Sequence, residues 1–157
     1  MKSLAGLSEV VDQFDGLILD LWGLIHDGAT PYPGVVQTLE ALKKAGIKTI
    51  LLSNAPRRSR LLVDGMTSMG IRRDLYDHVF SSGEATWQEL MFRSDSFFAA
   101  IGEKAYHIGP ERDVSILEET GISREAEINA ADFVLNTGPV ELHHRVGEYL
   151  EVLEAAK

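Results

Sequence analysis

Asp20 is the residue with the clearest chemical potential in this chain. It ends an apolar run, residues 17–19, and Gly23 follows it three residues later. An acid in this place is costly in a core, but it is useful at the carboxyl end of a sheet, where open α/β folds bind ligands. There a carboxylate can attack phosphorus or hold Mg²⁺, and backbone N–H groups of the following turn can face a phosphate. For a lone aspartate, a turn or helix-capping role is the simpler explanation.

Ser53 and Asn54 form a second candidate site. They follow the apolar run 47–52 and precede Pro56, a residue type that is tolerated at the start of a helix. A hydroxyl and amides at a helix N-terminus can bind an anion, although serine and asparagine also serve as ordinary N-caps. Together with Asp20, they put an acid and a hydroxyl on neighbouring strand ends, about 30 residues apart in a βαβ unit. That combination favours a phosphate-handling site over two unrelated caps.

The pattern of apolar residues predicts an α/β fold. Continuous apolar residues predict a fully buried first strand over 17–21. Similar runs predict strands at 47–52, 79–80, 105–108 and 133–135. Helical spacing predicts helices at 8–14, 35–45, 56–69, 84–91, 113–120 and 142–153. This alternation indicates a parallel sheet with right-handed crossovers, in the order 3-2-1 for the first three strands.

Composition excludes several classes of function. The chain has 157 residues and a formal net charge of −9, so neither a nucleic-acid backbone nor an anionic membrane is an expected partner. It contains no cysteine, which excludes disulfides, thiolate nucleophiles and cysteine metal sites. The absence of cysteine also fits a reducing compartment, so we expect a cytoplasmic location.

Three blocks of sequence carry a resemblance to a known family. They are residues 17–28, the stretch from Pro33-Gly34 to Ala45-Gly46, and residues 49–57. Through these blocks the chain resembles the haloacid dehalogenase (HAD) superfamily of phosphohydrolases. It is most similar to the class IIA members, the group of nitrophenylphosphatases and of sugar- or nucleotide-phosphate phosphatases. The resemblance covers the chain well to about Ser82 and more loosely beyond it.

The resemblance implies a fold and a division of the chain. It implies a Rossmann-like, parallel, three-layer α/β core, of which residues 1–103 form the N-terminal part with strands 1–3. Residues 104–157 are then the start of an α/β cap, truncated in mid-helix. The family chooses its substrate with the cap, so the substrate is expected to be a small phosphate ester of unspecified identity.

The resemblance also implies roles for individual residues. The family's first aspartate attacks phosphorus, so Asp20 is expected to be the nucleophile and to form an aspartyl-phosphate intermediate. Ser53 and the amide of Asn54 are expected to hold the phosphoryl group, and the turn at Trp22 and Gly23 is expected to supply further amides. Mg²⁺ is expected to bind the Asp20 carboxylate and the backbone carbonyl of Trp22.

Two departures from the family pattern bear on activity. The family normally has a second aspartate two residues after the nucleophile, which protonates the leaving oxygen. Here that position is Trp22, which exchanges no proton near neutral pH. His26 and Asp27 are candidate substitutes, although a solvent-facing loop role is the simpler explanation for both. The family's later lysine and acidic pair are missing too, since Lys157 is the only lysine after residue 104.

These departures predict that the chain alone hydrolyses no phosphoester at a useful rate. They keep a non-catalytic, phosphate-binding relative open as an alternative. A phospho-acceptor signalling domain fits less well, because Asp12 and Asp15 precede the first strand instead of forming an acidic pair on it. A 2-haloacid dehalogenase is disfavoured by the glycine-rich class IIA pattern. The missing neighbours of strand 1 predict an open sheet edge, which favours self-association.

Overall fold

A computed structural model describes residue 3, residues 5–141 and residues 143–156. Leu142, the predicted start of the last helix, and Lys157 lie outside the described residues. The chain divides into two compact units. The first unit contains the residues up to Ser53 together with Ser59–Phe80, and the second contains Asn54–Arg58 together with the residues from Ser81 onward. The predicted division between residues 103 and 104 stays a prediction.

The first unit is built on a three-stranded sheet. Its strands and helices follow one another as β1 (Gly16–Asp20), α1 (Val35–Lys44), β2 (Lys48–Ser53), α2 (Ser59–Ser68) and β3 (His78–Ser81). The strands lie in the order β1-β2-β3, which confirms the predicted arrangement. β1 and β2 are parallel, and the carboxyl end of β1 is in register with that of β2, since Asp20 pairs with Leu52.

Both helices of the first unit pack on one face of its sheet. Leu39 and Leu42 of α1 are buried in the same cluster as Met66 of α2 and Leu51 of β2. The two crossovers run in the same direction across the sheet, so right-handed connections place both helices on the same side. This face therefore holds the hydrophobic core.

The opposite face of this sheet is exposed, and the prediction of a fully buried first strand is wrong. Side chains alternate between the two faces along β1 and β2, so that Ile18 is 69% exposed while Leu51 is fully buried. Ile50 and Leu52 are exposed as well. A continuous apolar run fits burial on one face as well as on two, and among the described residues no second layer covers this face.

The start of α2 also differs from the prediction. The helix begins at Ser59 and not at Pro56. Residues 54–58 belong instead to the second unit, where the carbonyl oxygen of Ala55 accepts a hydrogen bond from the Gly83 N–H at 3.1 Å. Proline is compatible with a helix start, but these long-range contacts hold the segment in another conformation.

The second unit has a parallel sheet of its own. Its elements are α3 (Ser82–Phe92), α4 (Ser96–Ala100), β4 (Lys104–Ile108), β5 (Ser123–Glu125), β6 (Phe133–Asn136) and α5 (Leu150–Ala155). The strands lie in the order β5-β4-β6, and β4 is parallel to both neighbours. Its core contains Leu90, Ala105, Ile116 and Leu135. The α/β class predicted from the sequence is therefore confirmed in both units.

Several predicted helices are shorter than expected or of another type. The segment predicted as a helix at 8–14 forms two 3₁₀ turns, Leu7–Glu9 and Val11–Gln13, and the one predicted at 113–120 is a 3₁₀ helix over Glu111–Leu117. The last predicted helix is confined to a 3₁₀ turn and α5. None of the helices in the described part of the chain combines the length and the apolar character needed to cross a membrane.

The different burial of the two faces of the first sheet predicts different losses of stability on mutation. We expect Leu51→Ala to lower the free energy of unfolding by about 3 kcal/mol, because the change leaves a cavity in the core. Ile50→Ala, in the same strand, is the matched control and is expected to cost less than about 1 kcal/mol, since its side chain is exposed. Urea denaturation followed by circular dichroism measures both, and equal losses would contradict the assignment of the faces.

Candidate active site

Asp20 lies at the carboxyl end of β1 with its side chain exposed. Its Oδ1 atom accepts a hydrogen bond from the Leu21 N–H at 2.8 Å. Its other carboxylate oxygen has no partner within the described residues. The carboxylate is therefore held by the first residue of the following turn and presents one oxygen to solvent.

The turn after Asp20 is anchored by Leu21, whose side chain is buried in the core. The Leu21 carbonyl oxygen accepts hydrogen bonds from the N–H groups of Ile25 at 2.8 Å and His26 at 3.2 Å. Gly23 adopts a φ of 89°, a left-handed conformation that favours glycine. Its N–H donates to the His26 carbonyl oxygen at 2.9 Å. The Gly23 amide, predicted to face a phosphate, is thus engaged inside the loop in this structure.

Trp22 lies between these anchored residues, and its own peptide groups are open. Within the described part of the chain, its N–H has no acceptor and its carbonyl oxygen has no donor. Its indole ring is 70% exposed and donates through Nε1 to the Asp27 carbonyl oxygen at 2.9 Å. Two residues after Asp20, the chain therefore offers one backbone donor, one backbone acceptor and no side-chain acid.

Asp27 shapes the loop. Its Oδ1 atom accepts hydrogen bonds from the N–H of Thr30 at 2.7 Å and from the N–H of Ala29 at 2.9 Å. The bond from Thr30, followed by that from Ala29, lowers the pKa of the Asp27 carboxyl group. Asp27 is therefore ionised at neutral pH, and in that form it has no proton to give to a leaving group.

The His26 ring also makes a hydrogen bond within the loop. Burial lowers the pKa of its ring, and the nearby charge of Asp27 opposes this shift only in part. Its Nδ1 atom accepts a hydrogen bond from the Gly28 N–H at 3.0 Å. This bond requires an unprotonated Nδ1, so the ring is neutral at pH 7 and carries its proton on Nε2. A neutral imidazole is a poor proton donor, and His26 is therefore no replacement for the missing acid.

Ser53 and Asn54 follow β2, next to the end of β1. Because Asp20 pairs with Leu52, Ser53 lies one residue beyond Asp20 along the sheet. The alternation of side chains puts Asp20 on the exposed face and Ser53, only 8% exposed, on the buried face. Asn54 begins the segment that belongs to the second unit, and its Oδ1 atom accepts from the Ser82 hydroxyl at 2.9 Å. The phosphate-binding roles of both residues stay predictions.

The oxygen donors at the end of β1 fit a hard divalent cation in part. The free oxygen of Asp20 and the open carbonyl of Trp22 are both of the type that Mg²⁺ binds. Mg²⁺ commonly takes one or two carboxylates and completes its shell with waters and substrate phosphate. Within the described residues no group of three or more acidic, histidine or cysteine side chains could hold a metal ion. The donor set therefore supports a magnesium site that needs further ligands.

Comparison with curated proteins identifies phosphatases as relatives. The chain is 28% identical to a 4-nitrophenylphosphatase of Schizosaccharomyces pombe over 99 residues, which are 60% of this chain and 33% of that protein. It is 25% identical to phosphoglycolate phosphatase 2 of Arabidopsis thaliana over 129 residues, which are 82% of this chain and 38% of that protein. The chain therefore spans little more than a third of the length of these relatives.

Solved structures share the fold. A hydrolase of the haloacid dehalogenase-like family from Brucella suis 1330 superposes with a TM-score of 0.82 at 27% identity, over 94% of this chain and 52% of that one. A 4-nitrophenylphosphatase from Thermotoga maritima gives a TM-score of 0.64 at 22% identity, over 94% of this chain and 51% of that one. The second of these shows a likeness in fold alone. In both cases the chain spans about half of the solved protein.

A sequence model of one family matches a large part of the chain. The match covers residues 17–123, which are more than half of the molecule and include both Asp20 and Ser53. It agrees with the two parallel α/β units and with the curated relatives. The chain belongs to the haloacid dehalogenase-like hydrolase family.

Proposed function

We propose that the chain carries the phosphoryl-accepting site of a Mg²⁺-dependent phosphatase-like hydrolase that acts on a small phosphate ester. A carboxylate oxygen of Asp20 forms a bond to phosphorus while the bond from phosphorus to the ester oxygen breaks. The ester oxygen leaves with the bonding electron pair and takes a proton from water. Water then attacks the aspartyl phosphate, which releases inorganic phosphate and restores the carboxylate. The observation that carries the proposal is the exposed Asp20 carboxylate close in sequence to Trp22, whose backbone N–H and carbonyl oxygen make no hydrogen bond within the described residues.

The remaining predicted residues receive supporting roles in this proposal. The N–H groups of Trp22 and Asn54 and the Ser53 hydroxyl bind the phosphoryl oxygens, as backbone donors commonly do at the ends of parallel strands. Gly23 joins them only when its N–H leaves the His26 carbonyl oxygen. Mg²⁺, bound to Asp20 and the Trp22 carbonyl, would neutralise phosphate charge. Two of the relatives, a 4-nitrophenylphosphatase and a phosphoglycolate phosphatase, support a phosphate ester as substrate.

A second candidate function rests on the missing acid. Trp22 occupies the position of the family's proton donor, Asp27 is held ionised, and His26 is held neutral. Positioned acid–base groups contribute typically about 10²–10⁴-fold to rate. Phosphate binding needs no such group. A non-catalytic, phosphate-binding relative is therefore the alternative to a slow phosphatase.

The nucleophile can be tested with a donor whose leaving group needs no proton. Acetyl phosphate releases acetate, so the missing acid does not prevent transfer to Asp20. We expect Mg²⁺-dependent addition of one phosphoryl group, located on Asp20 by mass spectrometry of acid-quenched peptides. Asp20→Asn is the matched control and should abolish the label. Labelling of another residue, or of the Asp20→Asn variant to the same extent, would refute the proposed nucleophile.

The missing acid can be tested at Trp22. We expect the unsubstituted chain to hydrolyse 4-nitrophenyl phosphate at a negligible rate. Trp22→Asp should raise the Mg²⁺-dependent rate by about 10²-fold, because a carboxylate can activate the water that attacks the aspartyl phosphate. Trp22→Asn introduces a side chain of the same shape as aspartate but without a titratable group, and it should give no gain in rate. Equal rates in the two variants, or ready turnover by the unsubstituted chain, would count against this interpretation.

The proposal includes a cytoplasmic location, because the lack of cysteine fits a reducing compartment.

The proposal also includes self-association of the chain. Among the described strands, none pairs with the outer edge of β1, and Ile18 on that strand is exposed. Open edges and exposed apolar residues favour pairing with another copy. We expect the apparent mass in sedimentation equilibrium to rise with concentration, and Ile18→Lys to reduce that rise. Gln37→Lys, on the exposed surface of α1, adds the same single charge and is the control, and a monomer at high concentration would contradict the prediction.

A further inference from the structure

The segment Asn54–Arg58, here called the loop 54–58, is held by residues of the second unit. The carbonyl oxygen of Ala55 accepts from the Gly83 N–H at 3.1 Å, and the carbonyl oxygen of Arg57 accepts from the Ser81 hydroxyl at 2.6 Å. These contacts come from the first turn of α3 and the residue that caps it. Long-range contacts therefore help to position the loop.

Gly83 brings the two backbones closer than any other residue type would allow. A Cβ atom at this position would lie 2.2 Å from the Arg57 nitrogen and 2.6 Å from its carbonyl carbon and oxygen. A real Cβ atom does not approach a backbone so closely, so a side chain here would push the loop 54–58 away. The place of the Arg57 backbone is thus set within narrow limits.

Two ion pairs hold the C-terminal end of the loop, and they differ in their hydrogen-bond geometry. Arg58 donates to both oxygens of Glu84, at 2.9 and 3.3 Å, and its guanidinium lies 3.4 Å from the centre of the Trp87 ring. Such a two-point pair with a stacked ring satisfies the guanidinium well. This pair is one anchor of the C-terminal end of the loop.

Arg57 is bound less completely. Its Nε atom lies 3.2 Å from Oδ1 of Asp113, whose side chain is only 3% exposed. Within the described residues neither of these two buried atoms makes a hydrogen bond of regular geometry, and the Arg57 side chain has no other partner. Such a pair adds little net stability, because desolvation offsets most of the attraction, although removal of one partner leaves the other uncompensated. What Asp113 provides is a fixed position for the Arg57 side chain.

We infer that Asp113 is a positioning residue for the phosphate-binding loop. By holding Arg57 it restricts the loop 54–58, and with it the Asn54 amide that the proposed function assigns to the phosphoryl group. The inference rests on that proposed function. It adds a residue of the second unit, far away in sequence, to the determinants of phosphate affinity.

The test uses tungstate, a tetrahedral oxyanion, as the probe. We expect Asp113→Asn to weaken tungstate binding to the chain about 10-fold in isothermal titration calorimetry with Mg²⁺ present, under conditions in which circular dichroism shows that the variant is folded. Glu111→Gln is the matched control, because it removes an exposed ion pair with Arg124 from the same 3₁₀ helix. It should change the affinity less than twofold. The Asn54 amide resonance should shift with tungstate in the unsubstituted chain and much less in Asp113→Asn.

The outcomes separate the inference from the proposed function. If the unsubstituted chain binds no tungstate, or Ser53→Ala binds it equally well, the proposed phosphate site fails and the inference fails with it. If Ser53→Ala loses binding and Asp113→Asn keeps it, the proposed function stands and the positioning role is overturned. Should Asp113→Asn fail to fold, Arg57→Gln tests the same contact from its half-buried partner. Unchanged affinity in that variant would also overturn the inference.

Discussion

The parallel pairing of β1 with β2 is the constraint on which the candidate site depends. With Asp20 opposite Leu52, both strands end at the same edge of the sheet, and the residues that follow them leave the sheet side by side. Parallel strands need a crossover to achieve this, and α1 provides it while it buries Leu39 and Leu42 against the sheet. The packing that stabilises the first unit is thus the same packing that brings an acid and a hydroxyl to one edge.

In the turn after Asp20, the contacts of one buried residue leave the backbone N–H and carbonyl of the next residue available for binding. Leu21 fills the core, and its carbonyl oxygen collects the N–H groups of Ile25 and His26. These contacts fix both sides of Trp22 without using its own N–H or carbonyl. A backbone donor and acceptor next to a carboxylate are useful for a phosphoryl group or a cation, whichever side chain the residue carries. A tryptophan at this position therefore offers a backbone donor and acceptor but no side-chain acid.

Much of the fold could be predicted from local patterns, and the differences have physical causes. The strand order and α1 followed from apolar runs, from helical spacing and from Gly46, which lies just beyond the helix. The exposed face of β1 could not be predicted, because Ile18 has the same composition whether one or two layers cover it. The start of α2 was missed because contacts from α3 override the preference of Pro56. Asp113 carries no local signal at all, since only the folded second unit brings it to Arg57.

Ser53 and Asn54 are neighbours in one sequence motif, but they belong to different units of the structure. Ser53 ends a strand of the first unit, whereas the next residue already belongs to the second, where Ser82 bonds to its side chain. The backbone that carries the Asn54 amide is therefore held by contacts within the second unit. Close contacts such as that of Gly83 with Arg57 narrow the conformations open to such a loop, and a donor that is already in place loses less entropy on binding. In the proposed function, the affinity for phosphate therefore depends on the long-range packing of the loop as well as on the residue types within it.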